Sequence, residues 1–353
     1  MRILGVETSC DETAASIVED GYYLLSNEVA SSMALHTQYG GVVPEIAARS
    51  HIEVIIPVIE HALETADTEW KGLDAIAVTY GAGLGGSLLI GVLTARTLAI
   101  THNKPLYAIN HVEGHVYANF LTKTSLPGYT LPDKQPEFPM LALIVSGGHS
   151  QLVLFRNHFD YTLLGQTHDD ALGEAFDKVA KIIGLPYPGG PSIASKALEG
   201  DPFAYHLPKS KLTNKYDFSF SGIKTAVLRL AQVQIGEGFT FPSKDVPERL
   251  SEAQKANIAA SFQRIAMETV VDKTLQAFHE FKPRSVVIAG GVAADQELRK
   301  QMAERLPIPI TFTDPKLCTD NGAMIAALGC FTAKSNRPIA DPYTLEIQPN
   351  LSM

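Results

Sequence analysis

The chain has 353 residues, 45% of them hydrophobic, with 29 Lys and Arg against 38 Asp and Glu for a net charge of −9. That length exceeds the roughly 250–300 residues at which single cores stop growing, so two lobes are expected. The acidic balance excludes broad non-specific nucleic-acid binding, and three cysteines with no CxxC pair (Cys10, Cys318, Cys330) exclude a fully paired disulfide framework and a thiolate zinc site.

The N-terminal run Ile3-Leu4-Gly5-Val6 reads directly as a strand, with no long apolar leader region. No window approaches the roughly 18 apolar residues of a membrane helix. The expectation is a cytoplasmic protein that makes no membrane contact. Residues 2–18 read as strand, polar turn (Glu7 to Thr13), strand. Residues 140–155 repeat that scheme around the turn Ser146-Gly147-Gly148-His149-Ser150. Each half then shows an apolar strand, a glycine turn and a helix: Ala75–Val78 with Gly81–Gly86, and Ser285–Ala289 with Gly290-Gly291. Between them, Ile258, Phe262, Ile265, Val270 and Phe278 follow a helical period. The Pro-rich stretch Leu126–Pro139 reads as a linker, and residues 186–250 as an insertion in the second half. The expected lobes are 1–134 and 135–325, with a C-terminal helix and tail, 326–353, that can return to the first lobe. A duplicated α/β unit of this kind places ligands at the carboxyl ends of its strands, where the glycine turns fall.

His111 and His115 follow the strand-like run Leu106–Ile109 and stand four residues apart. On a helix that spacing stacks both rings on one face, where they can share a metal ion or simply begin a helix. The order is not that of a zinc protease, because Val112 stands where the catalytic Glu would follow the first His. Asp320, just ahead of an Ala-rich helical run, reads either as an N-cap or as the third metal ligand. Gly81, Gly83 and Gly86 match GxGxxG, but no acidic residue ends the next strand, so close strand–helix packing competes with dinucleotide binding. Ser146–His149 reads as a polar, flexible loop that can cradle a phosphate, or as a plain hairpin turn. Asp169, Asp170 and Asp177 flank a helical run in which Glu174 and Lys178 can pair. Five basic residues (Lys209, Lys211, Lys215, Lys224, Arg229) interleave with Tyr216, Phe218 and Phe220, a pattern open to RNA contact or to a solvated loop.

Long motifs of this chain together resemble the TsaD family of tRNA threonylcarbamoyladenosine synthase subunits. They are Gly5–Thr13, Tyr39–Glu45, His111–His115, Val145–His149, Gly173–Lys178, Tyr187–Pro191, Asp217–Gly222 and Cys318–Ala323. The resemblance implies a two-lobed actin-like ATPase fold with a ligand cleft between the lobes. It implies transfer of the threonylcarbamoyl group from threonylcarbamoyl-adenylate to N6 of adenosine 37 in tRNAs reading codons that begin with A. By the same resemblance His111, His115 and Asp320 hold one divalent metal, with Fe(2+) favoured and Zn(2+) the alternative. Val145, Ser146, Gly147, Gly148, His149, Asp177, Gly190 and Asp295 would bind the adenylate, and Asp11 or Glu12 would accept the amine's proton. The implied partners are tRNA, a shorter actin-like paralogue and a small ATPase. Three positions depart from the family's pattern. Asp295 replaces its usual Asn, and an ionised Asp only accepts hydrogen bonds. Ala194 stands where some members have Asp, and Gly81-Ala82-Gly83-Leu84 replaces Gly-Pro-Gly-Leu. The rival reading is an ATP-dependent kinase or ATPase on the same fold. The paired histidines count against it, because magnesium–phosphate sites prefer oxygen ligands and water.

Overall fold

The apolar runs on either side of the turn at Thr8–Asp11 form the first two strands, and a sheet grows around them. In the computed structural model, which describes residues 1–210 and 212–353, β1 (Arg2–Glu7) pairs antiparallel with β2 (Glu12–Glu19), and β2 with β3 (Tyr23–Ser31). After α1 (Met33–His36) and α2 (Pro44–Thr65), β4 (Ala75–Gly81) lies parallel to β1. Then α3 (Gly85–Thr101), β5 (Leu106–Asn110), α4 (His111–Tyr117) and the short β6 (Lys123–Thr124) complete the order β5-β4-β1-β2-β3-β6. The central strands are covered on both faces, which is why they read as continuous apolar runs rather than alternating ones. On one face Leu4, Val6, Ile17, Ile76 and Val78 meet Ile55 and Ile59 of α2 and Val92 of α3. Each side chain buried there stabilises the unit by about 1.5–3 kcal/mol.

The second sheet is built from β7 (Met140–Val145), β8 (Ser150–Asn157) and β9 (Asp160–Gln166). Helices α5 (Leu172–Ile183), α6 (Gly189–Ala197), α7 (Ser221–Gln234) and α8 (Glu252–Phe281) follow. The unit closes with β10 (Ser285–Ala289) and α9 (Gln296–Arg305), in the order β10-β7-β8-β9. The expected insertion thus contains α6 and α7. Ser251 and Gln254 form a capping box that starts α8, the long helix read from the periodicity.

In each unit the first strand pairs antiparallel with the second and parallel with the fourth, while the second pairs antiparallel with the third. This is the duplicated actin-like plan. By internal contacts the first unit comprises Met1–Pro136 and Thr311–Met353, and the second Glu137–Ile310. Residues 311–325 therefore pack with the first unit, whereas the sequence reading grouped them with the second half. The reason is local. The Asp314 carboxylate accepts from Thr130 N at 2.7 Å, and α10 (Gly322–Lys334) lies against β1 and β2. A Cβ on Gly5 would stand 2.2 Å from the Gly322 carbonyl oxygen, so only glycine lets the start of α10 come this near the strand. Among the described residues, no helix is long and apolar enough to cross a membrane.

Candidate functional site

Three local features bring His111, His115 and Asp320 together in the first unit. The Asn110 side chain caps α4, its Oδ1 accepting from Val112 N at 2.8 Å and Glu113 N at 3.2 Å, so the helix begins at His111. One turn later comes His115, its ring 4.7 Å from that of His111 between centroids. Asp320 arrives through the Gly5–Gly322 approach. It is not the cap of α10. Asn321 fills that role, accepting from Met324 N at 2.9 Å and donating to the carbonyls of Leu317 and Thr319.

His111 Nε2 and His115 Nε2 lie 3.7 and 3.4 Å from Asp320 Oδ1, and the three donor atoms all fall within 4.8 Å of one another. Ligands at about 2.0–2.2 Å from a tetrahedral metal stand about 3.3–3.6 Å apart, and the two His–Asp distances come close to that spacing. Both ring nitrogens of His115 are buried without a hydrogen-bond partner. A buried polar atom left unbonded costs about 1–3 kcal/mol, and coordination would remove that cost at Nε2.

The sequence reading missed Glu7, Ser9 and Thr79. Glu7 is fully buried at the end of β1. Its Oε1 accepts from Ser9 N, and its Oε2 accepts from Thr79 Oγ1 and lies 3.1 Å from His111 Nδ1. In the neutral ring a carboxylate there fixes the Nδ1–H tautomer, which leaves the Nε2 lone pair available to a metal. The available signal was an acidic residue inside an apolar strand, since a buried carboxylate must be paired. Burial pulls the His111 pKa down, but the carboxylates of Asp320 and Glu7 outweigh it and push it up to about 9.

The turn after β1 is strongly acidic. Burial, Asp320 and a hydrogen bond with Asp11 push the Glu12 carboxyl up to about 9, and burial with the same carboxylates raises the Cys10 thiol. Glu113, on the same helix, is also buried; its carboxyl rises to about 7 through burial, against the pull of Arg337. In the GxGxxG stretch, Gly83 N donates to Pro349 O, and a Cβ on Gly83 would stand 2.6 Å from Ser9 O. That stretch serves close packing.

In the second unit the turn Ser146–His149 joins β7 to β8. It closes on itself through Ser146 N to His149 O at 2.8 Å, and its Ser146 and Gly147 carbonyls accept from Gly173 N and Glu174 N at the start of α5. A Cβ on Gly147, Gly148 or Gly190 would meet nothing within 4 Å. Gly290, with φ +90°, approaches the Val145 carbonyl, so the ends of β7 and β10 and the start of α5 converge. Asp177 accepts from Gly189 N at 2.7 Å and holds the start of α6. Asp295 caps α9 through Leu298 N at 3.0 Å, and its second oxygen accepts from Gln263 Nε2 at 2.7 Å. Burial pushes both carboxyls up. Glu174 and Lys178 pair as expected at 2.6 Å. Asp170 is not simply solvated, since it pairs with Lys178 and Lys224.

The expected basic segment is already engaged. Lys209 pairs with Glu268 and Asp272, Lys215 with Glu280, and Lys224 with Asp170. Arg229 lies over the Phe239 ring, and Lys211 lies outside the described residues.

Fold and site together define a duplicated actin-like protein whose first unit carries a His, His, Asp group suited to a metal ion. Residues 23–327 match the profile of TsaD, tRNA N6-adenosine threonylcarbamoyltransferase. The chain is 49% identical to the tRNA N6-adenosine threonylcarbamoyltransferase of Thermomicrobium roseum, over 100% of this chain and 97% of that protein. It is 46% identical to the enzyme of the same name from Dehalococcoides mccartyi, over 100% and 99%. The corresponding figures for Symbiobacterium thermophilum are 48%, over 93% and 91%. The chain belongs to the TsaD family of tRNA N6-adenosine threonylcarbamoyltransferases, and it is a transferase of tRNA modification.

Proposed function

We propose that this protein transfers the threonylcarbamoyl group of threonylcarbamoyl-adenylate to N6 of adenosine 37 in tRNAs reading codons that begin with A. His111, His115 and Asp320 would hold one divalent metal, Fe(2+) ahead of Zn(2+), as a mixed nitrogen and oxygen donor set suits. The observation that carries the reading is His115, with both nitrogens buried and unbonded beside Asp320, in a chain of this family. The bound metal would supply Lewis-acid polarisation of the donor and offset negative charge on the departing phosphate.

The exocyclic amine of adenine is a weak nucleophile, because its lone pair is delocalised into the ring. Its acyl partner must therefore be activated, as a mixed carbamic–phosphoric anhydride is. The N6–carbon bond forms, the carbon–oxygen bond to the phosphate breaks, AMP leaves and one proton departs from N6. Glu12, with Asp11 beside it, is the candidate acceptor. Its carboxyl is held up in part by Asp320, so once coordination neutralises Asp320 it falls toward the range where it can take a proton at neutral pH.

Val145, Ser146, Gly147, Gly148, His149, Asp177, Gly190 and Asp295 would bind the adenylate. The open backbone at Gly147, Gly148 and Gly190 supports this, since nothing there blocks a ligand's approach. Asp177 and Asp295 would act largely by shaping the site, because both already accept backbone N–H groups. With Lys209, Lys215, Lys224 and Arg229 engaged by carboxylates or an aromatic ring, tRNA docking would draw on partner surfaces. The proposed partners are a shorter actin-like paralogue and a small ATPase, in the cytoplasm.

Nucleoside mass spectrometry tests the reading, using unmodified tRNA, threonylcarbamoyl-adenylate, this protein and those two partners. Threonylcarbamoyladenosine should form with the intact protein and be lost with His111→Ala. Its absence, with folded and metal-loaded protein, would favour an ATPase instead.

A further inference from the structure

Three successive carbonyl groups in the acidic turn are each held by a residue from outside it. Ser9 O accepts from Leu84 N at 2.8 Å, ahead of α3. Cys10 O accepts from Ser87 Oγ of α3 at 3.1 Å and lies 3.0 Å from Nε2 of His51 on α2. Asp11 O accepts from Ser32 N at 3.0 Å and Ser32 Oγ at 2.8 Å, just before α1. His51, Ser87 and Ser32 are all buried.

The two histidines behind this turn have determined tautomers. A carbonyl only accepts, so His51 Nε2 must donate to Cys10 O. Its Nδ1 then accepts from Thr13 Oγ1 at 2.7 Å, on the strand that begins at Glu12. Ser32 gives its hydroxyl proton to Asp11 O, so its oxygen accepts from His36 Nε2 at 3.1 Å, while Val43 N donates to His36 Nδ1 at 3.2 Å. Every group in the relay has a partner of the right polarity. Ser9 links it to the metal group, its Oγ lying 3.1 Å from His111 Nδ1.

We propose that His51 is a positioning residue for the transfer reaction, setting the turn that carries Asp11 and Glu12 by donating from Nε2 to the Cys10 carbonyl. It spans the turn from both sides, with Cys10 O before the two carboxylates and Thr13 Oγ1 after them. His51 thereby fixes the peptide plane that follows Cys10, and Ser32 fixes the one after Asp11, so the side chains of Asp11 and Glu12 leave in set directions. This inference rests on the proposed proton-accepting role of that turn.

Two isosteric replacements separate positioning from plain packing. In H51Q the amide nitrogen reaches the position of Nε2 and keeps the donor to Cys10 O. In H51N the amide occupies the position of Nδ1, so the contact with Thr13 survives and the donor to Cys10 O is lost. Both variants disturb the same buried space. The assay measures kcat and tRNA KM with threonylcarbamoyl-adenylate and the two partners, alongside metal content and Tm. H51N is expected to lose about 100-fold in kcat, the scale of a misplaced reacting group, with KM and metal content unchanged. H51Q should stay within about threefold of the parent.

Equal losses in the two variants would show a packing role and overturn the proposal, as would an H51N of full rate. Should H51N not fold, H51Q decides, since it disturbs the same buried space but keeps the donor to Cys10 O; a folded H51Q whose kcat falls about 100-fold overturns the proposal. If the parent protein itself makes no threonylcarbamoyladenosine, the proposed function fails rather than this inference.

Discussion

The turn from β1 into β2 and the turn from β7 into β8 leave their sheets at the same point of the repeated strand order, and their surroundings differ in kind. The first carries Glu7, Asp11 and Glu12, with Asp320 close enough to raise the Glu12 carboxyl, and its carbonyls are held by three helical segments. The second carries two glycines open to approach and no carboxylate between Ser146 and Ser150. Buried carboxylates must be hydrogen-bonded, protonated or matched by a cation, whereas an open glycine turn lets a phosphate reach backbone N–H groups. Duplication supplied one frame twice, and the residues at the turns differ in charge and in openness.

The largest expected effect breaks the acidic side. His115→Ala should lose bound metal and lower transfer by at least about 1,000-fold, as removing a catalytic metal does. Metal analysis and product formation check it together, and full metal occupancy in the variant would end the cation assignment. Glu7→Gln removes the carboxylate that orients His111, so metal affinity should fall about 10–100-fold. Titration with cobalt or zinc reads this, and an unchanged affinity would leave Glu7 a purely structural acid.

Stability against pH sharpens the same comparison. Glu113 has an ordinary value of 4.5 and is raised to about 7 in the folded state. Between those values the native state binds more protons than the unfolded one, so stability falls as pH rises through that window. Glu113→Gln should therefore gain on the order of 2–3 kcal/mol at pH 8 and little at pH 4. Denaturant melts at the two pH values would show it, and equal gains at both would contradict the burial argument. The smallest effect concerns the neutral turn. Gly148→Val places its side chain in open space, so Tm should hold while KM for threonylcarbamoyl-adenylate rises about tenfold, or about 1.4 kcal/mol. A variant that melts earlier with KM unchanged would make the turn a structural hairpin only.

Much of this was readable in one dimension. Strand runs flanking Thr8–Asp11 and Ser146–His149 exposed the duplication, because strands buried on both faces are continuous in sequence. The spacing of His111 and His115 placed two rings on one helical face, because the period of a helix is fixed by its backbone. Asp320 was legible only as one of two alternatives. Which one it takes depends on Asn321 filling the cap and on Gly5 and Gly322 letting α10 close on β1, and neither leaves a periodic trace. Glu7, Ser9, Thr79 and His51 were not legible as site residues. Their partners lie 72 to 104 residues away for Glu7 and 41 for His51, and hydrogen bonds at that range have no local pattern. The engagement of Lys209, Lys215 and Lys224 was hidden for the same reason, since the acids that pair with them come from α8 and from Asp170. Local periodicity and turn chemistry thus set the elements and the ligand spacing, while burial and long-range pairing decided which charges are engaged and which donor atoms remain for a metal.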